Sequence, residues 1–97
     1  MMPGMMRYLD RHLSGCVDFS TFYLLAIIPR KGKPAVVLLC PRDEVHDKHF
    51  NLQCGGKSLW FSSLDNMLTA AREYYGVSGI RLWWCRRRYR KFREGRA

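Results

Sequence analysis

Two cysteines and two histidines lie close together in the middle of this 97-residue sequence. They are Cys40, His46, His49 and Cys54, and thiolate and imidazole groups are ligands that zinc prefers. Structural zinc sites usually hold their cysteines in a tight C-x-x-C knuckle, which this series lacks. Since two of the four cysteines in the chain fall inside apolar runs, buried thiols in a reducing compartment fit the pattern better than a metal site. We predict no metal and no cofactor.

The same two histidines could also carry out proton chemistry together with a cysteine. They lie in a charged loop and at the edge of a predicted strand, where histidines are more often plain surface residues. The sequence contains no nucleophile elbow, no phosphate-binding Walker loop, no dinucleotide fingerprint and no H-E-x-x-H motif. We therefore predict that the protein is not an enzyme.

The positive charge of the chain is concentrated at its C-terminal end. Residues 1–80 carry nine basic and seven acidic side chains, whereas residues 81–97 carry eight basic side chains and Glu94. A basic segment of this kind attracts nucleic acid, acidic membranes or acidic proteins, and the aromatic residues within it could stack on unpaired bases. A solvated, functionless tail is the alternative. The candidate polyanion-binding residues are Arg81, Arg86, Arg87, Arg88, Arg90, Lys91 and Arg93, and the interleaved aromatic residues are Trp83, Trp84, Tyr89 and Phe92.

The length of the chain suits one domain. We expect residues 1–84 to form a single α+β domain and residues 85–97 to form a basic tail that need not be ordered. No apolar stretch approaches the roughly 20 residues that span a bilayer, and no signal peptide is evident. With the cysteine pattern, this predicts an intracellular protein, cytoplasmic or nuclear.

The pattern of apolar residues predicts the elements in the order α-β-β-β-α-β. A short amphipathic helix is expected at residues 5–13, and apolar or alternating runs predict the first three strands. A loop bracketed by Pro29 and Pro34 joins the first two of them, and Gly55-Gly56 ends the third. The predicted strands are Thr21–Ile28, Ala35–Cys40 and Lys48–Gln53.

A second helix and a last strand complete the predicted domain. Ser62 or Ser63 caps the helix, Gly76 ends it, and an apolar stripe runs along it. Residues 80–84 are predicted as the last short strand. The fold class is thus α+β, with a central antiparallel sheet of three or four strands flanked by two helices. The expected core residues are Phe22, Leu24, Val36, Leu38, Phe50, Leu64, Leu68 and Ala71.

Several short strings, taken in order, resemble an SH2 domain, the module that binds phosphotyrosine peptides. The similarity spans most of residues 5–82. The resemblance implies a helix, a three-stranded antiparallel sheet, a second helix and a short closing strand. The strings that carry it are Ser20-Thr21-Phe22-Tyr23-Leu24, Lys33-Pro34 with the strand after it, Lys48-His49-Phe50-Asn51-Leu52, Phe61-Ser62-Ser63-Leu64 with Tyr74-Tyr75, and Gly79-Ile80-Arg81-Leu82.

The departures from that family bear on function. Its phosphate-binding arginine would fall at Leu25 or Ala26, a basic residue is replaced by Asn51, and the stretch before Phe61 is several residues short. The resemblance therefore implies a degenerate member without the standard phosphotyrosine pocket. The remaining candidates for an anion or peptide site are Arg7, Arg11, Arg30, Lys31, Lys33 and His49.

Three functions remain open from the sequence. The first is a non-enzymatic protein–protein interaction module whose partner is a protein that the sequence does not identify. The nearly neutral charge of residues 1–80 and the SH2-like outline favour it. The second is a nucleic-acid-binding protein that uses the basic aromatic end. The third is a small phage or pathogen protein that inhibits a host factor. Salt dependence of binding separates the first two.

Overall fold

The computed structural model describes residues 22–42 and 50–95. These residues form one four-stranded antiparallel sheet, in the order β1-β2-β3-β4, and two helices. The predicted α+β class is confirmed, while the helix predicted at residues 5–13 lies outside the described residues. The elements are β1 (Phe22–Arg30), β2 (Lys33–Pro41), β3 (Phe50–Cys54), β4 (Lys57–Phe61), α1 (Leu64–Tyr75) and α2 (Gly79–Arg93).

The hairpin between β1 and β2 is tighter than the sequence suggested. Arg30 pairs with Lys33, so only two residues form the turn and the predicted loop from Pro29 to Pro34 is wrong. Gly32 has a φ of 67°, a left-handed conformation that glycine adopts without steric cost. The register of the pair shifts between Leu24 and Ala26, which leaves a bulge in β1.

A second hairpin contains a strand that the sequence prediction missed. Gly55 and Gly56 do not simply end β3, because both adopt positive φ and turn the chain directly into β4. Two consecutive positive φ values match the twist of antiparallel strands, which is why Gly-Gly is a strong hairpin signal. Cys54 then pairs with Lys57 and Phe50 with Phe61.

Helix α1 begins and ends where its sequence predicts. The Ser63 side chain accepts a hydrogen bond from the backbone N–H of Asn66 at 3.1 Å, which satisfies an amide at the helix start. At the other end Gly76 is left-handed with a φ of 66°. The N–H of Gly76 donates to the carbonyl of Arg72 at 3.1 Å, which is the bond of an αL C-cap, and the N–H of Val77 donates to the carbonyl of Ala71 at 3.1 Å.

Helix α2 replaces the predicted last strand. It runs from Gly79 to Arg93, so the strand predicted at residues 80–84 is wrong, and the predicted boundary between domain and tail at residue 84 falls inside the helix. Three residues connect α1 to α2. In the first turn of α2 the Leu82 N–H donates to the Ser78 carbonyl at 3.1 Å.

Four side chains attach α2 to the rest of the fold. They recur at i, i+3, i+7 and i+10, which places them on one face of a helix. The first two are buried and the last two are half-buried against the same core. We call them the buried stripe of α2, and they are Leu82, Cys85, Tyr89 and Phe92.

One core cluster joins the sheet to both helices. Of the expected core residues, Val36, Leu38, Phe50, Leu68 and Ala71 are buried, which confirms those predictions. The other three, Phe22, Leu24 and Leu64, are half-buried. Members of the cluster from each part of the fold are Leu25, Val36, Leu38, Phe50, Leu52, Met67, Leu68, Ala71, Leu82 and Cys85.

The opposite face of the sheet carries a smaller cluster. Val37 and Leu39 are fully buried there and pack against half-buried side chains of β1. Asn51 and Gln53 are buried polar residues of β3, the strand paired with this part of β2.

Candidate functional site

The basic residues near the C-terminus lie on an ordered helix. Arg81, Arg86, Arg87, Arg88, Arg90, Lys91 and Arg93 all belong to α2, and all but the half-buried Arg93 are exposed. Because the buried stripe fixes the helix on the sheet, these side chains project from a surface whose backbone is held in place. We call them the cationic array of α2.

Members of the array differ in the groups that they contact. Arg86 forms an ion pair with Asp65 of α1. Arg88 donates from Nε to the Tyr23 hydroxyl at 3.1 Å and lies 5.5 Å from the centre of that ring. Within residues 22–42 and 50–95, Arg90 and Lys91 have no carboxylate partner at ion-pair distance. A substantial part of the positive charge is therefore available to a ligand.

The four aromatic residues of α2 divide into two pairs. Tyr89 and Phe92 point toward the sheet, where Phe92 stacks on Tyr23 and Tyr89 lies 5.7 Å from Phe50. These two rings cannot serve as the exposed stacking faces that the sequence suggested.

Trp83 and Trp84 form the exposed pair, with 52% and 58% of their surface accessible. Their rings meet edge to face with centroids 5.1 Å apart. The guanidinium of Arg87 lies within 6 Å of both ring centres, at 5.7 and 5.9 Å. Each exposed indole therefore has the positively charged guanidinium of Arg87 beside it.

An open groove of about 480 Å³ runs between β1 and α2. The residues of β1 from Leu25 to Ile28, which are apolar, line one side of it. Among the described strands β1 has only one neighbour, β2, so the groove lies at the edge of this sheet. We call it the edge groove, and its lining from α2 comprises Arg81, Trp84, Cys85, Arg87, Arg88 and Lys91.

Arg30, predicted as part of an anion site, is instead used within the fold. It donates from Nε to the Pro34 carbonyl at 2.8 Å and from a terminal nitrogen to the sulfur of Cys54 at 3.2 Å. Its guanidinium also lies 5.4 Å from the centre of the Tyr75 ring. This side chain joins the first hairpin to the end of α1.

The other predicted anion-site residues are not brought together by the described structure. Lys31 and Lys33 are exposed at the turn of the first hairpin. Arg7, Arg11 and His49 lie outside the described residues. At the position where the SH2 resemblance would place a phosphate-binding arginine, Leu25 is only 1% exposed and belongs to the core cluster.

The cysteines within the described residues lie in the core. Cys40 and Cys54 are buried on β2 and β3, and their partners in the proposed zinc series, His46 and His49, lie outside the described residues. The part of the chain that the structure describes holds no group of three or more metal-ligating side chains. In α2, burial raises the pKa of the Cys85 thiol, and the charges of Arg88 and Arg81 oppose that rise.

The charge pattern of the sequence identifies the basic residues but not the part of β1 against which they lie. The edge groove needs the β1 residues Ala26 and Ile27, which no charge pattern indicates. The helical spacing of Leu82, Cys85, Tyr89 and Phe92 was visible in the sequence and would have predicted the helix.

No helix in residues 22–42 and 50–95 combines the length and the apolar character needed to cross a membrane. No family model, no curated protein and no solved structure matches this chain.

Proposed function

We propose that this protein binds nucleic acid through the cationic array of α2. The observation that carries the proposal is the placement of seven basic side chains on one packed helix, six of them exposed. A polyanion gains from each cation because every phosphate contact releases condensed counterions, whereas an isolated carboxylate gains little from an exposed cation.

The dimensions of the array suit a nucleic-acid strand. At 1.5 Å per residue, the helix extends about 18 Å from Arg81 to Arg93. This is the length of about five nucleotides along one strand, at roughly 3.4 Å each. Because the helix is packed on the sheet, fewer degrees of freedom are lost on binding than for a disordered basic tail.

The test is fluorescence anisotropy of a labelled oligonucleotide titrated with the full chain. We expect binding that weakens steeply between about 50 and 200 mM salt, with log K falling by roughly 0.7–0.9 per phosphate contact for each unit of log salt. Replacing two exposed cations of α2, in the double variant Arg90→Gln and Lys91→Gln, should reduce that slope by roughly 1.4–1.8.

A matched control removes the same charge elsewhere. The double variant Lys57→Gln and Arg72→Gln neutralises two exposed cations on β4 and α1. It should change the affinity far less than the α2 double variant does. Equal losses from both variants would mean that net charge alone drives binding, and no binding at low salt would refute the proposal.

A second candidate function is a protein–protein interface, the function that the SH2 resemblance implies. The observation that favours it is the exposed apolar surface at the start of α2, where Ile80 is 69% exposed beside Trp83 and Trp84. Tryptophan and arginine are enriched among residues that dominate protein interfaces. Binding of this kind would survive physiological salt, so the same salt titration separates the two candidates.

A further inference from the structure

The edge groove combines two surfaces of different chemistry. Its β1 side is apolar, with Leu25 and Ile28 buried and Ala26 and Ile27 half-buried. Its α2 side is cationic and contains one indole ring. The volume of about 480 Å³ lies within the range of roughly 300–1,000 Å³ found for small-molecule pockets.

The spacing of α2 accounts for that cationic side. Arg81, Trp84, Arg88 and Lys91 recur at i, i+3, i+7 and i+10, each one position before a member of the buried stripe. A row with this offset lies along the border between the packed and the exposed faces of a helix. The row therefore faces the edge of β1 and forms one wall of the groove over its length.

We propose that the edge groove binds an unpaired nucleotide of a single strand, so that this protein prefers single-stranded nucleic acid to duplex. The base lies on the apolar β1 side against the ring of Trp84, and the adjoining phosphates lie at Arg81, Arg88 and Lys91. This inference rests on the proposed function and adds to it the class of nucleic acid.

An unpaired nucleotide matches the groove better than the other polyanions do. A base has an apolar planar face that stacks on an indole, and it is attached directly to a charged phosphate. In a duplex the same base is paired and stacked, and extracting it costs a few kcal/mol. An acidic peptide could add to the edge of β1 as a strand, but its carboxylates have no use for the ring of Trp84.

The experiment compares a labelled oligothymidylate with a blunt duplex, both titrated with the full chain in low salt. We expect the single strand to bind at least about tenfold more tightly than the duplex. Trp84→Ala should weaken binding of the single strand by about 5- to 160-fold, the range for loss of one stacked base, and leave duplex binding unchanged. Tyr74→Ala removes an aromatic ring that is 74% exposed on α1 and serves as the control, with no effect on either ligand. Because Trp84 is more than half exposed, the thermal midpoint of the variant should stay close to that of the parent chain.

The outcomes separate this inference from the proposed function. If nucleic acid binds with a steep salt dependence but Trp84→Ala has no effect, the groove assignment is wrong and the proposed function stands. A loss from Trp83→Ala as large as that from Trp84→Ala would place the base on the outer face of α2 and also overturn it. Displacement of the oligothymidylate by a glutamate-rich peptide, with no effect of Trp84→Ala, would assign the groove to acidic peptides. If neither oligonucleotide binds, both proposals fail.

Discussion

The rings of Tyr23 and Phe92 stack with their centroids 4.1 Å apart and an angle of 13° between their planes. Tyr23 lies near the start of β1, and Phe92 lies in the last turn of α2. This contact ties the C-terminal end of the cationic array to the first strand of the described sheet. The array is therefore part of the folded body.

The stacked pair predicts that the end of α2 contributes to stability. Phe92→Ala removes a half-buried ring together with its stacking contact on Tyr23. The substitution should lower the free energy of unfolding by about 1–3 kcal/mol. Lys91→Ala, at the exposed neighbouring position, should change it by less than about 0.5 kcal/mol. Urea denaturation followed by circular dichroism measures both values. Equal effects of the two variants would contradict the packing of the last turn.

The contacts of Arg30 predict that lysine cannot replace it. Its planar guanidinium reaches the Pro34 carbonyl, the sulfur of Cys54 and the face of the Tyr75 ring at once, and a single ammonium group cannot. Arg30→Lys should therefore destabilise the fold by about 1 kcal/mol. Lys31→Ala, at the exposed turn beside it, is the control and should be neutral in the same denaturation experiment. If Arg30→Lys leaves the free energy of unfolding unchanged, these contacts do not contribute to stability and Arg30 is available to a ligand.

The hydrogen bonds of the buried Asn51 side chain predict that replacing its amide by a carboxylate strongly lowers stability. Its amide nitrogen donates to the Ser58 hydroxyl at 2.9 Å and to the Leu59 carbonyl at 3.0 Å, while its oxygen accepts from Gln53 at 2.8 Å. Asn51→Asp removes both donors and buries a carboxylate, so we expect a loss of at least about 2 kcal/mol at neutral pH. Ser58→Ala removes one exposed partner and should cost less than about 1 kcal/mol. Thermal denaturation of both variants shows which one loses more stability. A larger loss of stability in Ser58→Ala than in Asn51→Asp would contradict the prediction.

The Cys85 thiol predicts a loss of stability in alkali. Burial raises its pKa in the folded state, so the folded chain holds this proton more tightly than the unfolded chain does. Its contribution is complete below the pKa of the thiol in the unfolded chain and is lost as the pH rises through the higher pKa of the folded chain. Cys85→Ala removes the thiol and with it this part of the pH dependence.

The measurement is urea denaturation of parent and variant under reducing conditions, near pH 7 and near pH 10. The parent chain should be the more stable at neutral pH because the variant leaves a cavity. The difference between the two should shrink in alkali. A difference that stays constant with pH would show that the thiol proton does not contribute.

The elements that the sequence predicted well are those whose signals are local. Ser63 marks the start of α1 and Gly76 marks its end, and both could be predicted because capping depends on a few adjacent residues. The apolar runs of β1 and β2 likewise predicted the buried centre of the sheet, and Val36 and Leu38 lie there.

The predictions that were wrong concern segments in which two sequence patterns indicate different structures. Residues 80–84 predict a strand because four of the five are apolar or aromatic, which outweighs the helical spacing over so short a window. The helical spacing becomes evident only when Tyr89 and Phe92 are included, and those residues lie in the predicted tail. Strand β4 is absent from the predicted elements because Gly55-Gly56 fits the end of a strand as well as a hairpin turn.

The candidate site could be predicted only in part. The distribution of charge along the sequence identifies the cations of α2, because residues 81–97 carry eight basic side chains and one acidic side chain. The edge groove depends on how α2 crosses β1, and on contacts such as Arg88 with Tyr23 between residues far apart in the chain. No local pattern encodes such a crossing.

The cationic array also has a consequence for the energetics of folding. Like charges three and four residues apart on a helix repel, and α2 holds such pairs at Arg86 and Arg90 and at Arg87 and Lys91. The buried stripe keeps the helix folded against this repulsion. A polyanion that neutralises the array removes the repulsion in the native state, and so occupancy and folding become thermodynamically linked. The stability of this protein is then a property of its ionic surroundings as much as of its core.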